Sequence, residues 1–113
     1  MEPVIEHLLI LIKACKKEDR RSQKELYTAY YSFCMNISIR YTQNNEEAVE
    51  VLNDAFLKVF TKGIHSYNVK ENTHVGYFKS WLKKIIINTA IDHSRKNNRH
   101  YYSQEINETN HPR

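Results

Sequence analysis

Glycine and proline are nearly missing, with two of each in 113 residues. Folds rich in tight turns depend on the unusual backbone freedom of one and the fixed φ of the other. Their scarcity, with β-branched residues scattered rather than alternating, argues against sheets and for long helices with short connections. Cysteine is as scarce. Cys15 and Cys34 fall inside helical patterns beside Leu, Ile and Phe, where cysteine serves as a small buried hydrophobe rather than a disulfide half or a nucleophile. No apolar run is long enough to span a bilayer. The opening "MEPVIEHLLILIKACKK" carries acids before its apolar run and lysines after it, the reverse of a secretory signal, so no membrane and a cytoplasmic location are expected. The six histidines, at 7, 65, 74, 93, 100 and 111, show no ligand spacing such as an i, i+4 pair with an acidic third partner, so neither a metal site nor a cofactor is expected. Paired carboxylates facing a cleft, a nucleophile with a base at a readable spacing and a glycine-rich phosphate loop are all absent from the pattern. The chain does not read as an enzyme.

What is present fits one all-α domain, a compact bundle of four helices: 41% of the residues are apolar, enough for a modest single core at this length. The first helix is expected over about residues 3 to 18, with Pro3 in its first turn and Ile5, Leu8, Ile12 and Cys15 on one stripe. Ser22 followed by Glu25 has the form of a capping box opening a second helix, which carries Leu26, Tyr30, Phe33, Ile37 and Tyr41 inward. Asn44 or Asn45 can cap a third helix, whose first-turn Glu46 and Glu47 complement the helix dipole. Ala48, Val51, Leu52, Ala55, Phe56 and Val59 form its apolar stripe, and Gly63 is expected to end it in a left-handed conformation. Residues 64–74, "IHSYNVKENTH", have no period and read as a loop. A fourth helix over about residues 75 to 98 places Phe78, Leu82, Ile85, Ile86 and Thr89 on one face, with Ile87 and Ile91 nearly opposite, so it should be covered on two sides. Residues 1–99 thus form the helical domain, and residues 100–113 a loose tail or the start of a linker.

Three features ask for a partner, and a net charge of +4 with a pI near 9.1 makes an acidic polymer a reasonable one. Glu46, Glu50, Asn53, Asp54 and Leu57 share an outer stripe of the third helix, acidic and ending in an exposed leucine. Such a stripe suits a protein partner, the acids setting orientation and the leucine acting as anchor. Trp81, Lys84, Asn88 and Arg95 share a flank of the fourth helix. An aromatic ring, cations and an amide are the groups that stack on bases, neutralise phosphates and bond base edges of a single strand. The loop adds Tyr67, Asn68, Lys70, Asn72 and His74, with similar chemistry on adaptable backbone. Asp92 should pair with Arg95 or Lys96 one turn on.

These residues carry a family likeness. "NEEAVEVLNDAFLKVF" resembles the segment of extracytoplasmic-function sigma factors that reads acidic-acidic, two aliphatics, an amide, an acid, then "xFLxxW" or "xFLxxF". "FKSWLKKIIINTAIDHSRK" is similar to their next helix, "FxxWLxxIxxNxAxDxxR", and "KELYTAYYSFCMNISIRYTQN" resembles the helix that opens the domain. The likeness covers roughly residues 10 to 99. It departs at Asn53, where glutamine is usual, at Phe60, where tryptophan is common, and at Ile87, where a basic residue is frequent.

What the resemblance implies is a four-helix sigma-70 region 2 domain. Glu46, Glu50, Asn53, Asp54 and Leu57 would then dock on the clamp helices of the RNA polymerase β′ subunit. Tyr67, Asn68, Lys70, His74, Trp81, Lys84 and Asn88 would hold the unpaired non-template strand of the promoter −10 element. Arg95, Lys96 and Arg99 would lie along duplex phosphates. An anti-sigma factor is a further partner of the kind the family has. Family members carry a second helical domain that reads the −35 element, and nothing after residue 100 suffices to form it, so the chain is expected to be an excised domain or a minimal form, the former favoured. The rival reading is a helical interaction or regulatory module that binds protein through the acidic stripe and does not bind DNA.

Overall fold

The computed structural model describes the backbone of residues 2–71 and 73–109, and the side chains among them up to residue 97. Helix α1 spans Ile5–Lys16, α2 Arg20–Arg40 and α3 Asn45–Lys58. A π turn over Val59–Gly63 joins α3 to the single helical turn α4, Ile64–Ser66, and α5 spans Val75–Thr109. The described residues contain helix and connecting segments only, as an all-α chain requires. Helix α2 packs against α1, α3 and α5, and α3 also packs against α5.

The core is built from the expected stripes, except that on the α2 stripe Phe33 is only half-buried and Tyr41, the residue after the helix, is 46% exposed. Leu8, Ile12 and Cys15 of α1 meet Leu26, Tyr30, Cys34 and Ile37 of α2, Leu52, Ala55, Phe56 and Val59 of the α3 segment, and Phe78, Leu82 and Ile86 of α5. Burial pushes the thiols of Cys15 and Cys34 up to about 11 and about 12, so both are inert apolar fillers at neutral pH. The α1 stripe includes Leu11 as well, while Ile5 is only half-buried. Glu2 pairs with Lys79 at 2.9 Å, and that ammonium lies 4.6 Å from the centroid of the Phe33 ring. The N-terminal segment is thereby tied to α2 and α5.

Several element ends differ from expectation. Helix α1 starts after Val4, so Pro3 precedes it. Helix α2 is capped by Asp19, whose carboxylate accepts from the Ser22 amide at 3.0 Å and the Ser22 hydroxyl at 2.6 Å. Ser22 therefore sits inside the first turn, and Glu25 is free of a capping role and bonds His7 across to α1. Glu18, between α1 and α2, adopts φ 61°, the left-handed conformation that closes α1. Asn44 does cap α3, accepting from the Glu47 amide at 2.8 Å.

Gly63 does not terminate the third helix. Its backbone is right-handed, φ −60° and ψ −44°, and helix continues through Ser66 with Ile64 fully buried. Its missing side chain matters for space: a Cβ there would lie 3.1 Å from the Trp81 ring. Along α5, Phe78, Leu82, Ile86 and Thr89 are buried, but Ile91 on the opposite side is 39% exposed. The helix is thus covered fully on one face and only in part on the other. Its backbone runs on past Asn98, where the apolar pattern fades, because no glycine or proline occurs between Gly76 and Pro112.

Candidate functional site

The acidic stripe of α3 is a surface. Glu46, Glu50 and Asn53 are exposed, Asp54 is half-buried, and Leu57 is 61% exposed at the end of the ridge. Opposite-facing Val51, Leu52, Ala55 and Phe56 lock the helix to the core, so the stripe is fixed by packing rather than by its own contacts. Two of its members are held from neighbouring helices. The Tyr27 hydroxyl donates to the Asn53 side-chain oxygen at 2.9 Å, and Asp54 lies 2.6 Å from the His93 ring nitrogen. Asp92 turns to Lys58 on α3, at 3.7 Å, instead of to a cation on its own helix. Lys58 also donates to the Thr89 hydroxyl at 3.1 Å, so α3 and α5 are bridged twice at one place.

Trp81 has the opposite character. It is half-buried, with its ring edge-on to Tyr67 at 4.9 Å, tilted against Phe78 at 5.5 Å, and close over Gly63. Beyond it opens a cleft between the π turn and α5, lined by Lys58, Lys62, Gly63, Ser66, Ile85, Asn88 and Thr89. Cations and an amide rim an apolar floor. Asn88 and Lys84 are exposed, as are Arg95 and Lys96 two turns further along α5. Arg95 and Lys96 line a second cleft that also contains Asp54, Leu57 and His93, so the acidic and basic faces meet there.

The loop is less available than its composition suggests. Tyr67 is only 4% exposed, packed on Phe78 and Trp81, and burial raises its phenol above the usual range. It cannot present a face to a base without leaving the core, which corrects the expectation of an exposed tyrosine. The Lys16 ammonium donates to the Tyr67 carbonyl at 2.5 Å and fixes the start of the loop. Asn68 folds its side-chain oxygen over the amides of Lys70 and Glu71, at 2.9 and 3.3 Å, an Asx turn. His74 accepts from the Gly76 amide at 3.0 Å and stands edge-on to Tyr77. Lys70 and His74 remain exposed. Asn72 and the Arg99 side chain lie outside the described residues.

Lys62 and Ser66 were missed by the sequence reading. A signal for them exists: the buried positions step from Val59 to Ile64, five residues instead of three or four. That is the mark of a π turn, a feature common at functional sites, and it continues the helical segment along the Trp81 flank.

Among the described residues no helix is long and apolar enough to cross a membrane. A family model described as Sigma-70 region 2 matches residues 26–100. The ECF RNA polymerase sigma factor SigW of Bacillus subtilis (strain 168) is 28% identical over 91 residues, covering 80% of this chain and 46% of that relative. The chain therefore spans about half the length of that curated relative. No solved structure gave a significant match.

Proposed function

The chain belongs to the sigma-70 region 2 family, and we propose that it is the promoter-recognition part of a transcription initiation factor of the extracytoplasmic-function kind, a reading its similarity to SigW supports. In this reading the ridge of Glu46, Glu50, Asn53, Asp54 and Leu57 docks on the β′ clamp helices of core RNA polymerase. The cleft beside Trp81 receives the unpaired −10 strand. The protein is a non-catalytic factor that works in the cytoplasm, where polymerase and promoters are, and an anti-sigma factor is a natural regulator of it.

The observation that carries the reading is the pairing of two opposed surfaces on one rigid bundle. An acidic ridge ends in the exposed Leu57, and a cation-and-amide cleft includes Asn88 in its lining. Acids steer a basic partner while a buried apolar anchor supplies affinity. In the cleft, Asn88 has no hydrogen-bond partner among the described residues and so is free to bond a base edge. Trp81 stands beside the cleft, against Gly63, and offers only the uncovered part of its ring. Its packing on Tyr67 and Phe78 holds that ring in place before a strand arrives. Lys62, Lys84, Arg95 and Lys96 supply phosphate contacts.

The two surfaces are tested separately. Leu57→Arg should weaken capture of a β′ clamp-helix fragment by more than about tenfold, leaving the thermal melt nearly unchanged because the side chain is exposed. Asn88→Ala should weaken binding of a fluorescent −10 single strand and spare clamp-helix capture. If Leu57→Arg binds polymerase as well as the parent, the ridge assignment fails. If neither the parent nor Asn88→Ala binds the strand, the chain is the protein-interaction module of the rival reading.

A further inference from the structure

Helix α3 and helix α5 bring together three side chains of metal-binding chemistry. Glu50 and Asp54 stand one turn apart on α3, and His93 faces them from α5. One carboxylate oxygen from each acid and an imidazole nitrogen lie within 4.8 Å of one another. We propose that Glu50, Asp54 and His93 form a divalent transition-metal site, suited to Zn2+, that clamps α3 to α5. The proposal does not depend on the polymerase or DNA reading.

The donor set decides the class of ion. One nitrogen and two carboxylate oxygens are donor types that zinc takes, and they fill three positions of a tetrahedral site with the fourth left open. Calcium would need six to eight oxygens, and copper(I) would need sulfur. Donors around zinc sit about 3.4 Å apart, given bond lengths near 2.1 Å and tetrahedral angles. Asp54 and His93 are already closer than that, at 2.6 Å, held by the proton between them. Metal binding replaces that proton and moves the two donors apart by about 0.8 Å. Glu50 has to swing inward, and its exposed side chain has no ion-pair partner among the described residues to hold it back.

The burial gradient across the three ligands suits an ion, while Arg95 and Lys96, which line the same cleft, oppose its charge. His93 is the most buried of the three, its side chain 16% exposed, so the site has a fixed anchor and a solvent-facing mouth. Lys58, the nearest cation of α3, is drawn toward Asp92 and Thr89. Asp54 and His93 lie 39 positions apart on two helices, which is why no spacing in the sequence discloses the set. Glu50 and Asp54 also belong to the acidic ridge, so a bound ion would cancel charge on that surface.

The test is a calorimetric titration of the chain with zinc chloride in a non-chelating buffer at neutral pH, repeated on Glu50→Gln, Asp54→Asn and His93→Ala. One zinc per chain should bind the parent, and each variant should lose more than about tenfold in affinity, since even outer-shell changes cost 10 to 100-fold. Zinc should also raise the melting temperature of the parent and not of Glu50→Gln. Glu50 is exposed, so that variant stays folded even if His93→Ala does not. Parent binding that is no tighter than in the variants would place zinc on other histidines and overturn the proposal, as would the absence of saturable binding.

Discussion

Tyr67 shows how residue chemistry and residue placement can part company. Its type and its neighbours in "SYNVKENTH" suit base stacking, yet the ring is 4% exposed and its hydroxyl has no hydrogen-bond partner among the described residues. A buried phenol oxygen without a partner costs stability, because it has given up water and gained nothing. Tyr67→Phe should therefore stabilise the domain by about 1 kcal/mol in a denaturant melt, the usual penalty of an unsatisfied buried group. Binding of a −10 single strand should be unchanged. Lost binding with an intact fold would return the hydroxyl to the interface and show that the tyrosine leaves the core to reach a base. Trp81 is the intermediate case: it shares the same aromatic cluster but keeps part of its ring uncovered. The sequence offset of Trp81 from Phe78 and Leu82 marked it as a flank residue. What it could not reveal was Gly63, brought beneath the indole by the π turn.

At the scale of elements, the interior of each helix was legible and the ends were less so. The α3 stripe from Ala48 to Val59 is buried throughout, because apolar side chains at three- and four-residue steps have only one way to leave water together. Ends are decided by single hydrogen bonds, and two capping patterns overlap in "DRRSQKE". Asp19 prevails over Ser22 because Glu25, the second half of the Ser22 box, is taken by His7. The cap has a pH signature. The Ser22 hydroxyl, and then its amide, donates to the Asp19 carboxylate and lowers its pKa below the usual aspartate range. A group depressed in the folded state contributes stability that is present above its unfolded pKa and lost as pH falls through its folded pKa. The melting-temperature gap between the parent and Asp19→Ala should hold constant from about pH 7 to about pH 5 and close at lower pH. A gap that persists unchanged in strong acid would mean that the carboxylate charge does not matter to the cap.

For the whole molecule, the question is how a basic domain with an acidic ridge divides its work. Opening ten or so base-pair steps costs on the order of 14 kcal/mol at about 1.4 each. One partly covered tryptophan and an amide supply only a few kcal/mol, at about 1 to 3 per stacked base. In the proposed reading the domain therefore captures bases that polymerase exposes and does not melt duplex unaided. That fits a bundle whose acidic ridge meets its basic flank at the cleft containing Asp54, Leu57, Arg95 and Lys96. Under that proposal, polymerase docking and strand capture would act on two adjoining sides of one bundle, with α3 and α5 bridged by Lys58 and by the Asp54–His93 pair. On duplex DNA alone the exposed Lys62, Lys84, Arg95 and Lys96 remain to act, through phosphates. Four such contacts give a slope of about −3.6 in log affinity against log salt, so duplex binding should fall roughly 100-fold between 50 and 200 mM salt. Anisotropy titrations of a labelled duplex across that range measure the slope. Duplex binding in the nanomolar range that ignored salt would require base-edge contacts in paired DNA, and the division of labour between the two faces would have to be abandoned.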